Sequence, residues 1–229
     1  MPPTITVDLP VLLLGIALLW FPRHWIRRVV AMLQRRRRSS PSGRVTDPWK
    51  EREPGDPRVA FGVEFRKVRN YFDLLRAGAG SLAIWGGLGV APALTVAAEA
   101  PGRVGLQVLA AKALIMLGGL VIQAVRYENR RVSFYPPIFY LAGISVGLCG
   151  YKAAGFAFVL IWTVNTGLGN AQAFLAVYSV ILYIFGALFA SFSTPAVMLA
   201  SGLAMLPVLL SLLADRPLVV YTRKGSRSR

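Results

Sequence analysis

The sequence predicts an all-α fold: a polytopic integral membrane helix bundle of about seven transmembrane helices plus one interfacial amphipathic helix. Three observations predict it. Of the 229 residues, 55% are hydrophobic and 16% charged, whereas soluble domains average about 45–50% apolar and about 25% charged residues. Charge is also segregated, because fifteen of the 26 Lys and Arg lie between Arg23 and Arg76, as expected of a basic face at a membrane surface. Beyond residue 76 the chain is a succession of apolar runs close to the ~20 residues a bilayer requires.

The first apolar run, Leu9–Phe21, extends from Ile5 to Ile26 if its flanks are included. Its first basic residue, Arg23, follows the run rather than preceding it, which is the order of a signal-anchor with its N-terminus outside and not of a secretory signal peptide. Trp20 and Trp25 stand where interfacial aromatic anchors lie. Trp25, Val29 and Leu33 recur at helical spacing, so residues 1–38 read as an anchor helix with a basic cytoplasmic extension. Arg27 and Arg28, then Arg35, Arg36, Arg37 and Arg38, are candidate contacts for anionic headgroups. Residues 39–57, rich in Ser, Pro and mixed charge, read as a flexible linker that cannot support a core.

Asp56-Pro57 has the form of an N-cap followed by proline at the first helical position. Residues 58–76 then read as the interfacial helix: Phe61, Phe65, Val68, Phe72 and Leu75 follow steps of four, three, four and three. Arg66, Lys67 and Arg69 fall off that stripe as further headgroup contacts, and Phe61, Phe65 and Phe72 as interface anchors. The competing reading docks the same stripe on another protein. Arg69 and Asp73 are spaced for an i,i+4 pair.

Residues 77–214 read as a six-helix core. Its spans are Ala77–Ala98, Val104–Val125, Val132–Tyr151, Ala153–Gly169, Ala171–Ala190 and Thr194–Ala214, with Lys152 at a turn and 215–229 as a basic cytoplasmic tail. With the N-terminus outside, segments 23–76, 126–131, 165–171 and the tail fall inside and hold nearly all the basic loop residues, in keeping with the positive-inside bias. The compact spans suit a bacterial inner membrane.

Lys112 lies about eight residues into its span. It reads either as a snorkelling or structurally paired lysine, with Glu99 as a candidate partner, or as a substrate contact. Thr163–Gln172 interrupts an apolar run with polar residues. Asn165, Thr166 and Asn170 are therefore candidate substrate-binding residues if the stretch lines a cavity at membrane depth. The alternative is a tight turn in which Asn170 starts the next helix. Ser133–Pro137 and Ser193–Pro195 read as helix starts, Pro207 as a kink, and Gly143-x-x-x-Gly147 as a close helix contact.

Cys149 is the one cysteine and His24 the one histidine, which leaves no intrachain disulfide and no His-pair metal motif. Metal-ligand spacing, phosphate loops and nucleotide fingerprints are missing from the sequence, so no metal or cofactor is expected. The net charge of +16 comes without a nucleic-acid-binding module, and the expected partners are anionic lipids together with a membrane-protein partner or a second copy of the chain. The resulting expectation is a non-enzymatic assembly, scaffold or accessory subunit whose basic cytoplasmic face binds anionic lipid. A small transporter or channel subunit for a neutral or anionic solute or lipid is the alternative. A lipid-modifying enzyme is the second alternative.

Overall fold

The computed structural model describes residues 5–22, 59–96, 102–128, 131–189, 194–216 and 218–220. Trp25, Arg27, Arg28, Arg35, Arg36, Arg37 and Arg38, linker 39–57, Glu99 and most of the tail lie outside the described residues. The described chain is mostly helical. Four of its helices, Gly102–Ala124, Ile138–Gly167, Ala171–Phe189 and Pro195–Leu213, are long and apolar enough to cross a membrane.

Besides the helices, the described residues form two small antiparallel strand pairs that the sequence does not announce. Strand β1 (Ile5–Val7) pairs with β2 (Leu94–Val96), Ile5 opposite Val96. Both segments are β-branched or apolar and fit a pleated pair better than a helix end. The first helix, α1 (Leu9–Trp20), is therefore shorter than the expected anchor. Asp8 caps it by accepting from Val11 N at 3.2 Å, and Pro10 occupies its first turn. Its 12 residues span only about 18 Å.

Residues 58–76 do not form one interfacial helix. A four-residue helix, α2 (Phe61–Glu64), is followed by a break at 65–67. A second helix, α3 (Val68–Trp85), then runs through the boundary expected between residues 76 and 77. It stops at Gly86, whose φ of +94° favours glycine and whose absent Cβ makes room for Pro92 at 3.0–3.3 Å.

Helix α3 also turns its faces the other way. Val68 and Leu75 are 81% and 70% exposed, whereas Asn70, Asp73 and Arg76 are buried. An apolar stripe faces outward when the surrounding solvent is lipid, and the polar face then has to find partners inside the protein.

Helix α4 (Gly102–Ala124) leads into the hairpin β3 (Val125–Glu128)–β4 (Arg131–Phe134). What reads as a basic loop and the start of a span is thus a strand pair, and the next helix begins only after Pro137. That helix, α5 (Ile138–Val164), is not a straight rod: Gly150 sits at φ 82°, ψ 157° within it. The ring of Phe139 lies 5.4 Å from that of Phe158 and 6.2 Å from that of Trp162, although a straight helix would separate residues 139 and 162 by about 35 Å. The two limbs, 138–149 and 151–164, therefore fold back on each other, so the second of the four long apolar segments is two short helices and not one straight span. The turn expected at Lys152 falls at Gly150. A 3₁₀ turn (Asn165–Gly167), α6 (Ala171–Phe189) and α7 (Thr194–Leu213) complete the described chain.

Side-chain contacts fix the directions. Gly15 of α1 faces Ile84 while Gly80 faces Leu19, so α1 and α3 are antiparallel. Gly78 and Ser81 of α3 meet Gly143 and Gly147, so the first limb of α5 runs parallel to α3. Gly186 meets Val197, Ser179 pairs with Ser201, and Gln172 reaches Ser211, so α6 and α7 are antiparallel. One end of the bundle carries β1–β2 and the Gly150 bend. The other carries the C-terminus of α1, the N-terminus of α3, the β3–β4 hairpin and the 165–170 turn. Leu218 bridges to Phe134 at that second end, so the described parts of the basic segments gather there.

Candidate functional site

The inward polar face of α3 builds the most elaborate polar site among the described residues. Asp73 and Arg76, three residues apart on one helical turn, form an ion pair at 2.9 Å with both side chains nearly inaccessible. Burying two charges is costly unless each is paired and hydrogen-bonded, and here the acceptors come from α1. That helix ends with carbonyls that have no intrahelical partner. Arg76 donates to Leu18 O at 3.2 Å and Phe21 O at 2.7 Å. The Tyr140 hydroxyl donates to Leu19 O at 2.9 Å, and Gln123 Nε2 donates to Phe21 O at 3.0 Å. A cation at a helix C-terminus is also favoured by the aligned peptide dipoles. The Arg76 guanidinium lies 5.2 Å from the Tyr140 ring centroid, adding a desolvated cation–π contact.

One turn nearer the basic end, Glu64 accepts from Lys67 and, at 2.7 Å, from Asn70 Nδ2. Asn70 also donates to Glu64 O at 2.9 Å, which ties α2 to α3 across the break at 65–67. Two small cavities adjoin this arrangement. One, of about 20 Å³, touches Glu64, Asn70, Asp73 and Tyr140. The other, of about 40 Å³, touches Glu64, Lys67, Arg69 and Tyr135. Since a water needs about 10–15 Å³ of such space, they have room for a few waters and not for an organic substrate. Among the described residues no group of three His, Cys, Asp or Glu could hold a metal ion. Chemically the cluster can clamp α1, and it carries an ionisable pair inside the bundle.

The residues singled out from sequence are dispersed. Lys112 places its Nζ 5.3 Å from the Trp85 ring centroid, at the end away from the 165–170 turn. Asn165 donates to Val59 O at 2.7 Å, and Asn170 Oδ1 accepts from Ala173 N at 2.7 Å as the cap of α6. Thr166 is exposed. The structure therefore does not bring Lys112 together with Asn165, Thr166 and Asn170, and the 163–172 stretch has the geometry of a capped turn.

Of the expected anchors, Phe61 and Phe72 are about half exposed, and Trp20, 41% exposed, donates its indole N–H to Ile115 O at 2.8 Å. Phe65 instead packs inside an aromatic cluster, 5.0 Å from Trp162 and 5.2 Å from Phe139. Arg66 is exposed, and Lys67 and Arg69 are half-buried. Cys149 is buried and free.

From the sequence alone Asp73 reads as an i,i+4 partner of Arg69 off the Phe stripe, and nothing singles out Arg76, Tyr140 or Gln123. The available signal was the three-residue spacing of Asn70, Asp73 and Arg76, which marks a single helix side as clearly as the Phe stripe does. Which side points inward depends on whether water or lipid surrounds the helix. No protein-family model matches the chain, and neither a curated protein nor a solved structure matches it.

Proposed function

We propose that this chain is a non-enzymatic multi-pass membrane protein, an assembly, scaffold or accessory subunit that presents a basic face to anionic lipid. In this reading α1, α3, α4, the two limbs of α5, α6 and α7 make seven passes. The N-terminus lies outside a bacterial inner membrane, and the basic segments and C-terminus face the cytoplasm. Helix α3 counts as a pass despite Arg69, Asp73 and Arg76, because Asp73 and Arg76 are paired inside the bundle.

The observation that carries the proposal is what the polar interior side chains bind. Arg76, Tyr140 and Gln123 hold the end of α1, Asn165 holds Val59, and Asn170 holds the start of α6. These groups fasten the chain to itself, as a rigid scaffold requires, while the basic segments remain for lipid headgroups at about 1 kcal/mol per residue near an anionic surface.

The test is native mass spectrometry of the protein extracted gently from its own membrane. A stoichiometric protein partner or retained anionic lipid is the expected result. A defined solute held by the chain, and lost in the Asn165→Ala, Asn170→Ala double variant, would favour transport and contradict the proposal.

A further inference from the structure

We propose that the open aromatic groove between α2 and the second limb of α5 binds one anionic phospholipid, with an acyl chain among the rings and the phosphate at Arg66. The inference rests on the membrane reading above and adds to it a defined site and a defined ligand. The groove is shallow and open on one side, offers about 340 Å³ and is lined by Phe61, Phe65, Phe158, Val159, Trp162 and Thr163. That volume falls at the lower end of the ~300–1,000 Å³ typical of small-ligand sites.

The inner walls of the groove are fixed. Phe65 lies 5.0 Å from Trp162 and 6.1 Å from Phe158, and Trp162 is backed by Phe174 at 5.0 Å. Its rim is open, because Phe61 and Val159 are 54% and 65% exposed.

Position and charge select the occupant. Thr163 immediately precedes the turn at the basic end of the bundle, and Phe158 lies about 7.5 Å deeper along the helix. The groove therefore runs inward from headgroup depth, as the upper part of an acyl chain does. Arg66, exposed and next in sequence to Phe65, lies in the break between α2 and the N-terminus of α3 at the basic end of the bundle, and its cation is the complement of a lipid phosphate. A free anion would leave the aromatic walls unused, and a neutral hydrocarbon would leave Arg66 unused. A phospholipid satisfies both.

The experiment is native mass spectrometry of the full chain. The protein is reconstituted in vesicles of equal parts phosphatidylglycerol and phosphatidylcholine, then released into detergent. Wild type should retain one phosphatidylglycerol in preference to phosphatidylcholine. Val159→Trp, which fills the groove from its exposed rim without removing a packed side chain, should lower that occupancy about tenfold. Phe61→Ala, on the opposite wall, should lower it as well. Arg66→Gln should keep a bound lipid and lose the headgroup preference.

If Val159→Trp and Phe61→Ala fold normally and keep the same bound phosphatidylglycerol, the groove is not the site and the inference fails. Lipid loss on neutralising Arg35–Arg38 would in that case leave the broader anionic-lipid reading standing. Equal retention of both lipids by wild type would overturn the anionic assignment, and retention of neither would overturn the site, while the broader reading falls only if the protein taken from its own membrane also carries neither a protein partner nor anionic lipid.

Discussion

Two helix contacts in this molecule rest on small residues in different ways. Between α3 and the first limb of α5, backbone meets backbone. A Cβ on Gly143 would collide with Leu74 O, lie 2.7 Å from Ala77 Cβ and sit 2.8 Å from Gly78 N. Between α6 and α7, a Cβ on Gly186 would meet only the side chain of Val197, and Ser179 and Ser201 exchange hydroxyl–carbonyl bonds at 2.9–3.0 Å. The first contact also carries the Asp73–Arg76 pair at its edge. Lipid offers little hydrophobic drive for helix association, so packing and polar contacts must supply it. The comparison shows ionic and backbone contacts concentrated on α1, α3 and α5, with apolar packing and paired serines left to α6 and α7.

Substitutions sharpen that contrast, and the largest effect belongs to the ion pair. Arg76→Leu leaves Asp73 buried without its guanidinium and takes the donor from Leu18 O, while Phe21 O keeps its bond from Gln123 Nε2. Breaking a buried pair in this way costs about 3–5 kcal/mol. Reversible unfolding in detergent micelles measures it, and a loss below one kcal/mol would show that the pair is not buried as described. Asp73→Leu combined with Arg76→Leu should cost less than the sum of the two single changes, because neither charge is then left alone.

Gly143→Ala comes next, at about 1–3 kcal/mol for overpacking against backbone that cannot yield. Gly202→Ala, where nothing lies within 4 Å of the added Cβ, serves as its control and should stay within about 0.5 kcal/mol. If the two glycines respond alike in the same unfolding assay, the close backbone approach is wrong. Ser179→Ala should cost little more than that control, about 0.6 kcal/mol, the average for hydrogen bonds between membrane helices.

The sequence made the membrane class legible through composition and segregated charge, because both follow from solvent physics and need no knowledge of packing. It also marked the Asn165–Asn170 turn and the neighbourhood of the Gly150 reversal, where polar or small residues interrupt apolar runs. The orientation of α3 was harder to read. Phe61, Phe65 and Phe72 form an apolar stripe and Asn70, Asp73 and Arg76 a polar one, at the same helical period. Treating the polar side as wet turned the helix inside out. The break at 65–67 was hidden because Phe65 continues the spacing of Phe61 while packing on a different partner, Trp162. The strands were hidden for another reason: Ile5–Val7 and Leu94–Val96 are as apolar as the spans they adjoin, and only their pairing, ninety residues apart, distinguishes them.

The chain doubles back at Gly150, and the described parts of its basic segments lie together at one end of the bundle. Single cysteines placed at Ser133, Lys152 and Thr166 in a Cys149→Ala background test that reversal. The reagent is a membrane-impermeant maleimide, applied to right-side-out and inverted vesicles. Ser133→Cys and Thr166→Cys should label from the same, cytoplasmic side and Lys152→Cys from the opposite side. If Ser133→Cys and Thr166→Cys label from opposite sides, with Lys152→Cys inaccessible from either, then residues 138–167 cross as one rod and the chain does not reverse at Gly150.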